Sequence, residues 1–498
     1  MHTIPNKGLI RYLGILNQER LLVVSPKAIA DVLVNNHDAF EKPAPLRWSI
    51  SRVLGHGVLL AEGSEHRHQR KILEPAFAFR RVKNLYPVFW AKASEAAEAM
   101  AQVALASSAV EKTEQGIVGV DDWAVRLSLD ILGAAGLGQD LGCLRNPDSP
   151  IMKAYHDVYR PSGQAIILDL LYLVLPGPLV NLLPVTRNIE YARAAKTIAG
   201  VCQDIVSDKR ASLGFAPGRV DGKQASEGGG ADIVSTLLRS GAFDDQQIVE
   251  QMMTFLAAGH EGPAAGLIWA MYLLCLHPQV QARLRAEVRR HLPFPSPSSQ
   301  QQMADNFQAG GAAASITAAD IDRLPYLAAV CSEILRFMAP TPLTIREAVK
   351  DTTIADEFVP RGTYVMLSLW ATNRHAALWG PEAHRFNPDR WLTAATPTTT
   401  SPAAVEVGSL EEASILRASG SGGAESNYAF MTFTHGRKNC IGQNFAVAEL
   451  ACTLANWVGR FHFSFRDPSE AAMPKINHGG STIRPANGLH VRIKPVDG

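Results

Sequence analysis

The chain has 498 residues, 47% of them hydrophobic and 19% charged, with a formal net charge of +1. That length is ample for a large buried core. Near-neutral charge, with no basic tract carrying interleaved aromatics, excludes a nucleic-acid partner held by phosphate neutralisation. Six cysteines (Cys143, Cys202, Cys275, Cys331, Cys440 and Cys452) lie far apart with no CxxC pair, which argues against a disulfide scaffold and a zinc finger. Most sit in apolar helical patterns, as small core residues do; Cys440 does not.

Residues 1–11 lack the apolar run of a secretory signal. Residues 20–25, RLLVVS, read as a short strand, followed by Pro26 and an amphipathic helix through Val34. From residue 64 to about residue 290, apolar residues recur at three- and four-residue spacing and predict helices. The best hydrophobic run, residues 165–184, is broken by Asp169 and by Pro176-Gly177-Pro178. A core helix followed by a lipid-dipping or substrate-side loop is expected there, not a membrane span. Residues 244–276 read as one long helix. Segments 222–231, 293–315 and 393–426 are dominated by small and polar residues, bury too little apolar area to order themselves, and are expected to be flexible insertions. They fall between motifs, and no internal repeat occurs, so a single domain over 1–498 is expected.

The segment Phe433-Thr-His-Gly436-Arg437-Lys438-Asn-Cys440-Ile-Gly442 ends at an amphipathic helix beginning near Phe445. A thiolate just before a helix N-terminus gains from the helix dipole and from backbone N–H donors, so a lowered thiol pKa is expected for Cys440. Gly436 and Gly442 allow tight turns and close approach to a flat ligand. Arg437 and Lys438 offer charge for the thiolate or for a carboxylate. A bare cysteine in a glycine-rich turn is usually structural; this whole pattern in one frame before a helix is far more restrictive. It resembles the haem-binding loop of the cytochrome P450 family.

The resemblance implies a mostly α fold with small β-sheets (α+β). Haem b, iron protoporphyrin IX, would lie between the long distal helix and the cysteine-bearing helix, with Cys440 as axial iron ligand. Thiolate ligation favours O–O cleavage. The family position that usually carries a propionate-binding arginine holds Lys438, with Arg437 beside it; which of the two grips the propionate is open, because lysine lacks the bidentate fork.

Other motifs occur in the family's order. Glu333 and Arg336 fall on one helical face between apolar flanks, which implies a buried pair needing a third partner. The family supplies that partner from Phe-x-Pro-x-Arg, here Phe386-Asn-Pro388-Asp-Arg390, so Glu333, Arg336 and Arg390 are expected to form a structural network. In the family's Trp-x-x-x-Arg helix, His66 takes the tryptophan position and Arg70 the propionate-binding arginine. Arg346 stands at the spacing of another propionate arginine. The centre of the long helix, Ala258-Gly259-His260-Glu261-Gly262-Pro263, resembles the oxygen-activating motif, but Gly262 replaces its threonine and Pro263 the next hydroxyl residue. The family threonine helps deliver protons, and its loss is expected to release hydrogen peroxide. Proline removes an N–H and is expected to kink the helix and free the Gly259 carbonyl.

Three functions follow from that departure. The first is a monooxygenase in which Glu261, water and a substrate hydroxyl complete the proton path. Glu261, His260 and Gly262 are its candidate catalytic positions. The second is a haem-thiolate isomerase, dehydratase or peroxide-using enzyme that needs no reductase. The third is a haem-binding protein without turnover. The first is expected, because Glu261 and the surrounding frame persist. Substrate contacts are placed in the 43–60 loop, around 165–184, along 256–261, and at 340–343 and 481–483. These stretches are largely apolar, so a small hydrophobic organic substrate is expected. The motif wording resembles fungal microsomal members, which implies secondary metabolism, O2 and an NADPH-cytochrome P450 reductase as partners, and peripheral membrane contact. It also implies the cytosolic face of the endoplasmic reticulum for an anchored form and the cytoplasm otherwise. No G-x-G-x-x-G follows a strand, so no nicotinamide site is expected within the chain.

Overall fold

The computed structural model describes residues 6–14, 17–111, 116–159, 162–172, 174–214, 232–294, 316–394, 416–418, 420–477 and 481–496. Its strands form one five-stranded sheet and several small ladders. The apolar residues after Gln18 pair back on the chain before them: strand Leu9–Leu13 lies antiparallel to Glu19–Val23, with Leu9 opposite Val23. Next to them come Tyr364–Leu367, then Thr344–Ala348, then Phe40–Glu41. In the last pairing Phe40 faces Ala348 and Glu41 faces Glu347. Continuing that register sets Lys42 beside Arg346, although nothing local connects the two. Val23, Phe40, Ala348 and Val365 are buried beneath this sheet in a core of their own.

Helices make up the rest. The longest, Asp245–Leu276, has 32 residues, about 48 Å at 1.5 Å per residue. It opens on a reciprocal capping box between Asp244 and Gln247. Beyond its first turns it is apolar nearly all round, as a helix buried on every side must be, and it packs against Val120–Ile131, Thr186–Ser212, Ala44–Leu54 and the cysteine helix Gln443–Arg460. The helix continues without interruption through Pro263.

Several expectations change. The stretch 43–60 is not a loop: Pro43 caps helix Ala44–Leu54, consistent with proline's preference for helix starts. The run 165–184 is not a core helix. It forms helices Gly163–Tyr172 and Gly177–Asn181, in which Leu168, Tyr172 and Val180 point inward while Ile166 and Leu179, and Leu182 just after them, are exposed. Segment 222–231 lies outside the described residues, as do 295–315, 395–415 and 419 of the other two insertions. Their described edges are anchored. Phe294 packs on Trp90, with ring centroids 5.8 Å apart, and Leu416–Ala418 pairs antiparallel with Leu392–Ala394.

The back of the cysteine helix carries polar groups into the core. Asn456 Nδ2 donates to Ser94 Oγ at 2.8 Å, and Ser128 Oγ donates to Glu449 Oε1 at 2.7 Å. The other Glu449 oxygen finds no hydrogen-bond partner among the described residues. Burial pushes the Glu449 pKa up to about 8, against the Ser128 hydroxyl, which pulls it down. A carboxyl raised in this way binds its proton more tightly in the folded state. The stabilisation it gives is full below its unfolded value near 4.5 and is lost as pH rises through about 8. Glu449→Gln is therefore expected to flatten the fall in stability between pH 5 and 8, removing a slope of at most about 1.4 kcal/mol per pH unit. Urea denaturation of both proteins across that range checks it; parallel curves would show that Glu449 is ionised in the fold.

Candidate functional site

Residues 430–442 turn sharply enough to bring the Cys440 N–H onto the Phe433 carbonyl at 2.9 Å. Gly436 is required there: its φ is +76°, and a Cβ would stand 2.1 Å from the Leu33 carbonyl oxygen. Phe433 is half-buried against Phe430, and Gly442 N-caps the cysteine helix.

The loop is held from behind. Glu333 and Arg336 are fully buried. Arg336 meets both Glu333 oxygens at 2.7 Å and donates to the carbonyls of Asn373 and Ala383 at 2.8 Å. Arg390 Nε, Trp391 Nε1 and the Asn387 N–H also converge on Glu333, at 3.2, 2.9 and 2.8 Å. Asn373 passes the restraint on. Its Oδ1 accepts the Met431 N–H at 2.7 Å, and its Nδ2 donates to Thr432 Oγ1 at 2.8 Å. The structure thus brings together Glu333, Arg336 and Arg390. It adds Trp391 and Asn373, whose roles the spacing of charged residues did not signal.

The Cys440 thiol differs from expectation. It keeps an accessible face, yet protein is dense around the rest, and burial raises its pKa; the Gly442 backbone donor and Arg70 pull it back only in part. A thiolate here needs a cation beyond what the chain supplies, and a coordinating metal deprotonates its thiol ligand outright.

Arg70 is spent on the loop itself. It donates to Asn439 O and Oδ1, both at 2.7 Å, and to Glu74 at 3.0 Å. Lys438, not Arg437, points inward: it binds Glu62 and the Phe40 carbonyl, whereas Arg437 is exposed. Lys42 Nζ lies 3.7 Å from Glu62, and Arg346 is buried nearby with one nitrogen on Thr344 Oγ1 and the Ile345 carbonyl. Burial, Arg346 and Lys438 together bring the Lys42 pKa down to about 7 against Glu62. His66, buried beside the same lysines, falls to about 4 and is neutral at pH 7. Burial works against the Glu62 carboxylate, yet Lys42 and Lys438 hold its pKa below the usual range.

Two half-buried lysines and the buried Arg346 therefore cluster about one carboxylate. This surplus fits a ligand edge bearing two carboxylates, which need charge-assisted donors in a low-dielectric pocket. Haem b meets both requirements: Cys440 would hold its iron, and Lys42, Lys438 and Arg346 would hold its propionates. Lys42 escaped the sequence reading because its partners arrive through strand register.

On the long helix, His260 is fully buried between the rings of Tyr155 and Tyr159, at 4.3 and 5.8 Å, and burial pushes its pKa down to about 3. It is a neutral packing residue, its Nδ1 bound to the Leu256 carbonyl. Glu261 is buried one residue on, with hydroxyl groups from Ser481 and Thr482 on its carboxylate. A Cβ on Gly262 would meet nothing within 4 Å.

A helical body with small sheets, a cysteine loop before a buried helix and a cationic cluster beside it define a haem-thiolate oxidoreductase. The family model described as cytochrome P450 matches residues 7–491. The chain is 41% identical to cytochrome P450 monooxygenase FUM15 of Gibberella moniliformis, over 98% of this chain and 81% of that protein. It is 41% identical to cytochrome P450 monooxygenase ALT8 of Alternaria alternata, over 100% and 84%. It is 40% identical to cytochrome P450 monooxygenase sphH of Aspergillus fumigatus, over 100% and 82%. The chain belongs to the cytochrome P450 family.

Charge-assisted hydrogen bonds contribute about 1.5–3 kcal/mol, so Lys42→Met is expected to speed haem dissociation between about ten- and a hundred-fold. Arg437→Ala is expected to change it less than about two-fold, consistent with an exposed charge. Transfer of haem to excess apomyoglobin measures both rates. Equal effects from the two substitutions would refute the inward assignment.

Proposed function

We propose that this protein is a reductase-driven monooxygenase of a small hydrophobic molecule, with the balance RH + O2 + NADPH + H⁺ → ROH + H2O + NADP⁺. The bound haem would supply the centre at which oxygen is activated. Cys440 holds that group from one side, while Lys42, Lys438 and Arg346 fix its carboxylate edge. Glu261 carries the proposal. Reducing O2 requires protons inside a water-poor site, and the long helix keeps a buried carboxyl there although both neighbouring hydroxyl positions are lost. An isomerase or dehydratase that consumes no oxygen has no such need. The apolar residues at 340–343, with Ile483 hydrogen-bonded to the Pro340 carbonyl at 2.9 Å, favour a hydrophobic substrate. A role in secondary metabolism belongs to the same proposal and is supported by the fungal relatives.

Full-length protein loaded with haem and supplied with an NADPH-cytochrome P450 reductase is expected to consume O2 in an NADPH-dependent way. Its reduced CO-difference spectrum is expected to show the thiolate-type Soret band, and Cys440→Ser is expected to lose both. NADPH-independent conversion of substrate would favour the isomerase reading instead.

We further propose peripheral contact with a lipid surface, at the cytosolic face of the endoplasmic reticulum. No helix among the described residues is long and apolar enough to cross a membrane. Helices Gly163–Tyr172 and Gly177–Asn181 and the turn after them nevertheless turn Ile166, Ile167, Leu170, Leu179 and Leu182 outward, with Leu182 79% exposed. Interfacial binding scales with the apolar area inserted. The double substitution Leu179→Ser with Leu182→Ser is expected to lower partitioning to phosphatidylcholine–phosphatidylserine vesicles about ten-fold or more. Co-flotation measures this, and unchanged flotation would remove this patch from the membrane contact.

A further inference from the structure

Sequence spacing cannot show what meets Glu261, because its partners come from the C-terminal end of the chain. Ser481 Oγ donates to Glu261 Oε2 at 2.7 Å, and Thr482 Oγ1 donates to Oε1 at 2.9 Å. Arg484 Nη2 donates to the Glu261 carbonyl at 3.3 Å. The segment is pinned beyond the hydroxyl pair: Trp269 Nε1 donates to the Ile483 carbonyl at 2.8 Å, and the Ile483 N–H to Pro340 O at 2.9 Å. Ser481 is exposed, whereas Thr482 is 7% and Glu261 5% exposed. One short hydrogen bond therefore joins an exposed hydroxyl to a buried carboxylate.

The helix has no such group of its own at the next two positions, Gly262 and Pro263, and the space beside Gly262 is open. His260, neutral and enclosed by Tyr155, offers no alternative, and the Tyr159 hydroxyl that also meets Glu261 is shut in by protein and opens no path from the surface.

We propose that Ser481 and Thr482 replace the missing helix hydroxyls in proton delivery: Ser481 relays protons from the surface to Glu261, and Thr482 fixes the carboxylate for the transfer. The transfer balances. A hydronium at the surface gives a proton to Ser481 Oγ and is left as water, as that hydroxyl's own proton moves to Glu261 Oε2. The carboxyl then releases one proton toward the oxygen-reduction site and returns to carboxylate, so a single proton has crossed. Both hydroxyl residues act through Glu261 and are positioning residues. Concerted hopping along short hydrogen bonds tolerates hydroxyls that never ionise, whereas an apolar side chain at 481 breaks the chain. The inference rests on the monooxygenase reading, since only oxygen reduction consumes these protons.

The test needs no substrate. Haem-loaded full-length protein, reductase, NADPH and O2 are combined, and the share of electrons leaving as hydrogen peroxide is measured. Peroxide formation uses one NADPH per O2 and water formation two. Ser481→Ala is expected to raise the peroxide share at least about two-fold, Thr482→Val less, and Ser481→Thr to stay near wild type. Gly262→Thr is expected to restore coupling in the Ser481→Ala background. Independently of turnover, the infrared carboxyl band identified by its loss in Glu261→Gln is expected to shift in Ser481→Ala. An unaltered peroxide share and an unshifted band in Ser481→Ala would overturn the relay alone. Absence of NADPH-dependent O2 uptake by the wild type would overturn the monooxygenase reading, and the relay with it.

Discussion

The buried carboxylate of Glu333 is the constraint on which the site depends. Five donors converge on it, two of them from Arg336, and neither charged side chain reaches solvent. Desolvating two charges is costly, so the pair is tolerable only because almost every hydrogen-bonding position is filled. Losing one partner would strand the other in the core. That all-or-none character lets a structural pair position a ligand: Arg336 holds the Asn373 carbonyl, and the Asn373 side chain holds Met431 and Thr432 of the cysteine loop. The loop's conformation is thus inherited in part from a helix about a hundred residues away in the chain.

Burial acts in two opposing ways across the same region. It raises the thiol pKa of Cys440 and lowers the ammonium pKa of Lys42. Each group alone is disfavoured in its charged form, and the chain offsets the two incompletely. Glu62 answers Lys42 and Lys438 but leaves Arg346 without a carboxylate partner among the described residues. A cation for the thiolate and a pair of carboxylates for the basic groups complete both halves at once. A preorganised pocket of this kind concentrates groups whose charged states become favourable only with the ligand in place.

Much was legible before any coordinates. The long helix was readable over residues 244–276, and Glu333 and Arg336 were three residues apart on one helix. Local chemistry decided these features, so local sequence displayed them. The errors have an equally physical origin. The stretch 43–60 was placed as a loop by resemblance to the family, yet residues 44–54 form a helix that packs against the long one. The run 165–184 looked like core because hydrophobicity was read as burial, whereas the structure turns much of it outward. The Cys440 pKa was read from the adjacent helix terminus alone, without the surrounding protein.

The sequence by itself determined the cysteine loop, the family, the long helix and the absence of hydroxyls at Gly262 and Pro263. These are properties of contiguous residues, set by dihedral demands, periodicity and motif spacing. Only the tertiary structure decided that Lys438 turns inward and Arg437 does not, that Lys42 joins Arg346, and that Ser481 and Thr482 reach Glu261 across 220 and 221 residues. Such contacts follow from strand register and helix packing, whose energies are summed over the whole core, and no short stretch of sequence encodes them. The glycine and proline on the long helix were readable as a loss. The hydroxyls that we propose make that loss good meet Glu261 only once the chain has folded.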